Sequence, residues 1–499
     1  MYDRGGNNEM ENIFFALQTD NQFKRQLQLL AYFNKKNKSV SIQQLSRVLS
    51  CSPPTLRSTI NDLNLILPDQ FKIEYKKRKG VKIIHPNYQS IDFAILELAK
   101  RTLPFQIINT LFHHQNMSLS KLEEKLFISE SVLRSVINQI NTVLKNFQIS
   151  ISINKLRFVG EEQDIRYFLY SFYSDFKNHF VEYNQDNPSN KIYMKLLESA
   201  RQNNLRPMHY NYFQAVTWIQ IITQRISSKN FSKLNEKARL IVLEHNSFPP
   251  FFKVFNEIFS RMFSNKHVLL EEAMSMYIIS LHCIVYSETP ADSFVYRREE
   301  SQEIIEKINQ FLASILPSEL LNVSTTEKIQ AFLINLRLLK YISPNFEKVS
   351  MPLKKYVKEA NPKTYLKWYS YLKNDWKNIP FPISHCEDVA VSLTLFHSSI
   401  FSAKPLQNIF VLFSFRGESG FADYLVQTSK LILTDNVQAE YFFYEPITKQ
   451  VIEMKKVDLV VCNYNLPLIE NPPCPIVRLS YIPLALEWDK VRNTLRELM

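Results

Sequence analysis

Residues Val40–Leu67 read VSIQQLSRVLSCSPPTLRSTINDLNLIL, and Met117–Leu144 read MSLSKLEEKLFISESVLRSVINQINTVL. Superposed at an offset of 77 residues, from 40 to 117, they align without a gap. Leu45/Leu122, Leu49/Leu126, Ser52/Ser129, Leu56/Leu133, Arg57/Arg134, Ser58/Ser135, Ile60/Ile137, Asn61/Asn138 and Asn64/Asn141 are identical pairs. Identity at that density marks an internal repeat, which takes precedence over any single-segment pattern. Each copy reads as two short helices joined by a tight turn. In the first, Ile42, Leu45, Val48 and Leu49 recur at helical spacing, and Leu49–Ser52 is the turn. Ser52 is a helix cap followed by Pro53, a residue suited to the first helical position. Leu56, Ile60, Leu63 and Leu67 then form one apolar stripe.

Outside that stripe the second helix offers Thr55, Arg57, Ser58 and Asn61, hydrogen-bonding groups fit for base edges and phosphates. A hairpin follows. Phe71–Tyr75 alternates like a strand, Lys76, Lys77, Arg78, Lys79 and Gly80 make the turn, and Val81–Ile84 returns with Lys82 on it. Two helices and a basic hairpin make a winged helix-turn-helix, with the hairpin as a wing along a phosphate backbone. The second copy presents Ser131, Arg134, Ser135 and Asn138 on its helix and Lys155 and Arg157 on a shorter, less basic hairpin, Phe147–Gly160. Glu130 stands where the first copy has Pro53, so the first copy is expected to bind duplex DNA more tightly. The other reading of both copies is a pair of winged helices that pack or pair proteins.

Charge favours the nucleic acid. The chain of 499 residues has a net charge of +12, and residues 1–160 hold 22 Lys and Arg against 12 Asp and Glu. A basic block beside a nearly neutral remainder suits phosphate binding. Cys51, Cys283, Cys386, Cys462 and Cys474 lack CxxC spacing, so neither a disulfide framework nor a zinc site is expected. Glycine occurs only at 5, 6, 80, 160, 417 and 420, which leaves no room for a phosphate-cradling fingerprint. No secretory leader and no apolar run of membrane length is evident. A cytoplasmic protein without catalytic residues, cofactor, metal or membrane association is therefore expected.

The tandem winged helices, followed by Phe158-Val-Gly-Glu-Glu-Gln-Asp-Ile-Arg166, resemble the Mga/AtxA family of Gram-positive virulence regulators. More distantly the chain is similar to activators and antiterminators governed by the sugar phosphotransferase system. Residues 165–400 read as helical and contain a weaker repeat, Glu272–His282 against Glu387–His397, an acidic residue opening an apolar helix with His ten positions on. The resemblance implies two phosphotransferase regulation domains, with a break near 288–294, whose histidines accept phosphate from the phosphocarrier HPr. On that reading His385 matches the regulatory position of the second domain, with His397 twelve residues on. His282 pairs with His397 by repeat. His209 opens a helix near the equivalent position of the first domain, where Tyr212 is the alternative. Histidines within apolar helices also serve as ordinary core residues.

From 405 onward the period changes to strands Ile409–Phe413, Ala439–Tyr444, Leu459–Val461 and Ile476–Leu479, with helices Phe421–Leu433 and Leu486–Leu498, a small parallel α/β unit. It resembles the EIIB component of sugar permeases, without that domain's Cys in the loop Phe413–Arg416. The expected architecture is multidomain and mainly α: an N-terminal segment 1–22, winged helix-turn-helix domains 23–88 and 89–164, all-helical regulation domains 165–288 and 289–403, and the EIIB-like domain 404–499. The resemblance implies a sequence-specific double-stranded DNA-binding regulator, an activator, switched by histidine phosphorylation and working as a homodimer. An RNA-binding antiterminator and a phosphotransfer component are the alternatives. The first is disfavoured because the chain opens on helix-turn-helix repeats, the second by the missing loop Cys.

Overall fold

A computed structural model describes residues 13–18, 20–35, 39–76, 79–86, 90–114, 117–174, 187–202, 209–245, 247–286, 299–315, 323–374, 376, 381–403, 409–416, 419–433, 437–442, 447–464 and 471–498. The chain divides into two compact units, Met1–Phe396 and His397–Met499.

Helices α1 (Ile13–Leu17) and α2 (Asn21–Lys35) precede the first repeat, which comprises α3 (Ile42–Val48), α4 (Pro53–Ile66) and the antiparallel hairpin β1 (Lys72–Lys76) and β2 (Gly80–Ile84). Ser41 and Ser52 cap the two repeat helices, their Oγ atoms accepting from Gln44 N and Thr55 N at 3.2 Å. The stripe Leu56, Ile60, Leu63 and Leu67 is buried with Ile73, Val81 and Ile83 of the hairpin and Leu29, Leu30 and Phe33 of α2. Val40 exchanges backbone hydrogen bonds with Val81 at 2.9 and 2.7 Å, so the residue before α3 pins the hairpin to the helices. That pinning explains Gly80. Its φ is +81°, and a Cβ there would lie 2.5 Å from the Val40 carbonyl oxygen.

Helices α5 (Ile91–Ala99) and α6 (Leu103–His113) lead to the second repeat. α5 divides its apolar residues, giving Ile91, Ala94 and Leu98 to the first core and Leu96 and Ala99 to the next. The second repeat comprises α7 (Leu119–Leu126), α8 (Glu130–Leu144), a 3-10 turn Lys145–Phe147, and the antiparallel β3 (Ser150–Ser152) and β4 (Arg157–Val159). Met117 bridges Leu156 as Val40 bridges Val81. Unlike the first copy, the second shares one continuous core with the helices that follow it.

The centre of that core is α9 (Glu162–Ser174), buried on every face from Gln163 to Tyr170. A helix covered all round carries no polar side chain without a partner cheaply. Arg166 is fully buried and forms a bidentate pair with Glu272 at 2.9 and 3.0 Å. Glu162 holds Arg166 and Arg225 together, and Asp164 accepts from Ser343 Oγ and Asn345 Nδ2. Around it run α10 (Pro188–Gln202), α11 (Tyr212–Ser227), α12 (Glu236–Leu243), α13 (Phe248–Phe259) and α14 (Lys266–Ser280). Next come α15 (Glu299–Ile315), α16 (Val323–Ile342), α17 (Met351–Ala360), α18 (Pro362–Asn374) and α19 (Cys386–Ala403).

The region is helical as expected, with one isolated bridge, Tyr210 to Ile284, among its described residues. Two local expectations need correction. Glu272 does not open its helix, because Asn265 caps α14 seven residues earlier and Glu272 is instead drawn inward by Arg166. His209 does not open α11 either, since Asn211 is the cap and the helix begins at Tyr212. The expected break at 288–294 lies outside the described residues.

In the second unit β5 (Ile409–Ser414), β6 (Val437–Tyr441), β7 (Leu459–Cys462) and β8 (Ile476–Arg478) form one parallel sheet in the order β6-β5-β7-β8. Helices α20 (Ser419–Lys430), α21 (Lys449–Lys455) and α22 (Ala485–Leu498) accompany it. α21 is absent from the sequence reading, its seven residues being too short for a clear period.

Candidate nucleic-acid interface and regulatory histidines

The outward side of α4 carries Arg57, Ser58 and Asn61, all exposed, with Thr55 half-buried at its start. The Thr55 hydroxyl lies 2.7 Å from Ser52 Oγ, so it reinforces the cap. The Arg57 guanidinium sits 5.4 Å above the Tyr75 ring of the hairpin, which holds its charge between helix and wing. Ser58 donates to Asp62, which also accepts from Gln22 of α2. Lys76, Lys79 and Lys82 are exposed on the hairpin, and Lys76 reaches Glu74 at 3.1 Å. Lys77 and Arg78 lie outside the described residues. Helix face and basic hairpin therefore stand on one small core.

Ser131, Arg134, Ser135 and Asn138 are likewise exposed on α8, as are Lys155 and Arg157 on their hairpin. Here Arg134 is paired with Glu130 at 2.6 Å, one turn back. An exposed pair of this kind is worth little to stability, but it opposes the charge that a phosphate would seek. Glu130, where the first copy has Pro53, thus pairs an arginine whose counterpart, Arg57, lies instead over the Tyr75 ring.

Sequence reasoning gave no role to the identical pair Asn64/Asn141. Each amide clamps one hairpin residue through both of its backbone groups. Asn64 Nδ2 donates to Ile73 O at 2.9 Å while Ile73 N donates to Asn64 Oδ1 at 2.8 Å. Asn141 does the same to Ile151, at 3.0 and 2.6 Å. The only signal available beforehand was identity in both copies at a position off the apolar stripe.

The four histidines fall in different surroundings. His209 is exposed, and its carbonyl accepts from Val285 N at 2.8 Å. His282 is ringed by Tyr167, Tyr170, Trp218 and Phe346, and its Nδ1 accepts from the Trp218 indole at 3.2 Å. Burial pushes its pKa down to about 4, so the ring is neutral. His397 is buried in α19. His385 is half-buried at the start of α19, where its carbonyl accepts from Asp388 N and Val389 N. Partial burial, then the positive charge of Lys348, hold its pKa below the ordinary value.

A short connector after α16, residues 343–349, touches two of the four, His282 and His385. Phe346 packs on His282 and Trp218. Glu347 Oε2 accepts from the backbone N–H groups of Ser384 and His385, both at 2.7 Å, and Lys340 lies 3.1 Å from Oε1. Lys348 Nζ donates to the carbonyl of Asn146 at 2.7 Å and sits 4.7 Å above the Phe147 ring, at the end of the second recognition helix. Val349 N donates to Asp388, which Lys354 also pairs.

Residues 21–79 match the M protein trans-acting positive regulator (MGA) HTH domain, and residues 87–173 match the Mga helix-turn-helix domain. Both modules are Mga-family domains. The second Mga match runs through α9, in keeping with the core that α9 shares with the second repeat. The chain is 22% identical, over 94% of its length and 97% of the relative's, to the anthrax toxin expression trans-acting positive regulator of Bacillus anthracis. It is 32% identical over 32% of the chain and 34% of the relative to the capsule synthesis positive regulator AcpA of the same organism. A putative trans-acting regulator of Streptococcus pneumoniae is 27% identical over 37% of each chain. These relatives are named as regulators and not as enzymes. No helix among the described residues is long and apolar enough to cross a membrane.

In the second unit, the stretch that resembles a phosphate loop is cross-tied instead. Asn463 accepts from Arg416 N at 2.6 Å and donates to Arg416 O at 2.9 Å, and Ser414 Oγ lies 2.9 Å from the Tyr464 hydroxyl. Cys462 and Cys474 are both buried, and burial raises both thiol pKa values, which disfavours the thiolate nucleophile.

Proposed function

We propose that this protein is a positive transcription regulator that binds double-stranded DNA through α4 and the β1–β2 wing, with α8 and the β3–β4 wing as a weaker second contact. The observation that carries the reading is the pairing, in one Mga-type module, of an exposed Arg57–Ser58–Asn61 face with a lysine-bearing hairpin fixed to the same core. The regulatory input is phosphorylation by HPr of histidines in two regulation domains, and His385 is the leading acceptor. It is half-exposed, and its lowered pKa leaves a neutral imidazole nitrogen as the nucleophile. His209 is also accessible, whereas the burial of His397 and the aromatic ring around His282 hinder a protein donor.

A phosphate adds roughly −1.5 to −2 charges. Placed at His385, it competes for Lys348 and draws that ammonium from the Asn146 carbonyl, loosening the end of the second recognition helix. The C-terminal unit, EIIB-like in fold, joins two chains. It exposes Tyr424, Tyr481, Ile482, Leu484 and Leu486, apolar area that a dimer contact covers.

The test is a shift assay on purified protein with duplex DNA and with hairpin RNA, before and after incubation with enzyme I, HPr and phosphoenolpyruvate. Duplex binding and an acid-labile label reduced by His385→Ala are expected. Preference for RNA overturns the DNA assignment. Full labelling of a chain lacking His209, His282, His385 and His397 overturns the phosphorylation reading.

A further inference from the structure

Between α10, α11, α13 and α14 lies a cavity of about 320 Å³ that DNA binding does not use and that, of the four candidate phosphate acceptors, only His209 lines, at its mouth. Packed interiors rarely keep such a space, because the side chains around it forgo dispersion contacts. Its volume falls in the range of small-molecule sites, and its walls have their usual make-up, apolar and aromatic with a few polar groups. Leu196, Ile219, Ile222, Phe251 and Met276 supply the apolar walls, and Trp218 forms part of the lining. Among the described residues the lining contains no carboxylate. The described lining residues able to carry positive charge are Arg201 and His209, both exposed and therefore at the mouth. Arg201 makes no ion pair among the described residues.

We propose that this cavity is a receptor site for a small amphiphile with an apolar body and one anionic head, of the class of a medium-chain alkyl carboxylate. The body lies against Trp218, Ile222 and Phe251, and the head meets Arg201 and His209. Charge-assisted contacts at the mouth and an apolar interior select against neutral polar metabolites, including free sugars. The site is also wired inward. Trp218 stacks on Tyr170 at 4.4 Å, donates to His282 and faces Phe346 of the connector at 5.5 Å. An occupant that shifts the indole is felt by the segment that holds Lys348 and Glu347. The proposal does not depend on phosphorylation of any histidine.

The full-length protein is titrated with decanoate and, separately, with decanol by calorimetry, and with decanoate while tryptophan emission is followed. One saturable decanoate site is expected, with an emission change that is absent in Trp218→Phe. Ser199→Trp at the rim and Ala215→Trp in the wall each fill the space and weaken decanoate at least about tenfold, the equivalent of ~1.4 kcal/mol. Arg201→Gln weakens decanoate by about tenfold and leaves decanol unchanged. The site is refuted if decanoate shows no saturable binding. It is refuted equally if both tryptophan variants keep native circular dichroism and bind decanoate like the parent. Equal affinities for decanol and decanoate, with Arg201→Gln silent, overturn the anionic head.

Discussion

Replacing Asn141 by Ala removes the clamp between α8 and its hairpin. Ile151 is buried, and both its N–H and its C=O are satisfied by the lost amide. An unsatisfied buried backbone group costs about 1–3 kcal/mol. Two such groups at a partly exposed hairpin give an expected local loss of about 2–4 kcal/mol, which is ~30- to 1000-fold in the opening equilibrium. The chain has two units, so a global unfolding free energy is a poor readout, and amide hydrogen exchange resolved by peptide is the suitable assay. Protection should collapse over 149–159 in Asn141→Ala and over 71–84 in Asn64→Ala, with little change elsewhere. Asn141→Asp keeps an acceptor for Ile151 N but no donor for its carbonyl, and should lose about half as much. The two alanine variants also rank the DNA contacts: Asn64→Ala should weaken duplex binding more than Asn141→Ala, because the first hairpin is the more basic. Unchanged protection in both variants would refute the clamp. A larger loss of DNA affinity from Asn141→Ala would refute the ranking of the two modules.

Alanine at Lys76, Lys77, Arg78 and Lys79 together should flatten the salt dependence of duplex binding by about 0.9 in log–log slope per lost phosphate contact, and an unchanged slope would remove the hairpin from the interface. Lys348→Met keeps the packing over Phe147 but not the donor to Asn146, so exchange should rise at 144–149, and phosphorylation should no longer alter DNA affinity; a phosphorylation response of parental size in this variant sinks the coupling. Folding holds the His282 pKa at about 4 against an ordinary value near 6.5, so the unfolded chain takes up the proton first and stability falls as the pH drops from about 6.5 towards 4. That loss approaches ~3 kcal/mol at the acid end, and His282→Gln, which can still accept from the Trp218 indole, should show a shallower acid slope in thermal unfolding.

The sequence by itself determined what depends on neighbours along the chain. Ser52 before Pro53 and the stripe Leu56–Ile60–Leu63–Leu67 specify the start and the buried face of α4, and both are local facts of spacing. The repeat then extends the same reading to α8, and the change of period after 405 announces the parallel sheet. Helix starts are less legible where an Asn cap precedes the apolar run, as at Asn211 and Asn265. The tertiary structure decided everything that depends on segments distant in sequence. Arg166 meets Glu272 across 106 residues, and Lys348 meets Asn146 across 202, pairings that no local period encodes. His282 and His385 are both histidines beside an apolar helix in the sequence, and nothing along the chain distinguishes their surroundings. One became a neutral ring inside an aromatic cluster, the other a group at a helix start beside Lys348 and Glu347, because surroundings are set by what packs against a residue and not by the residue itself.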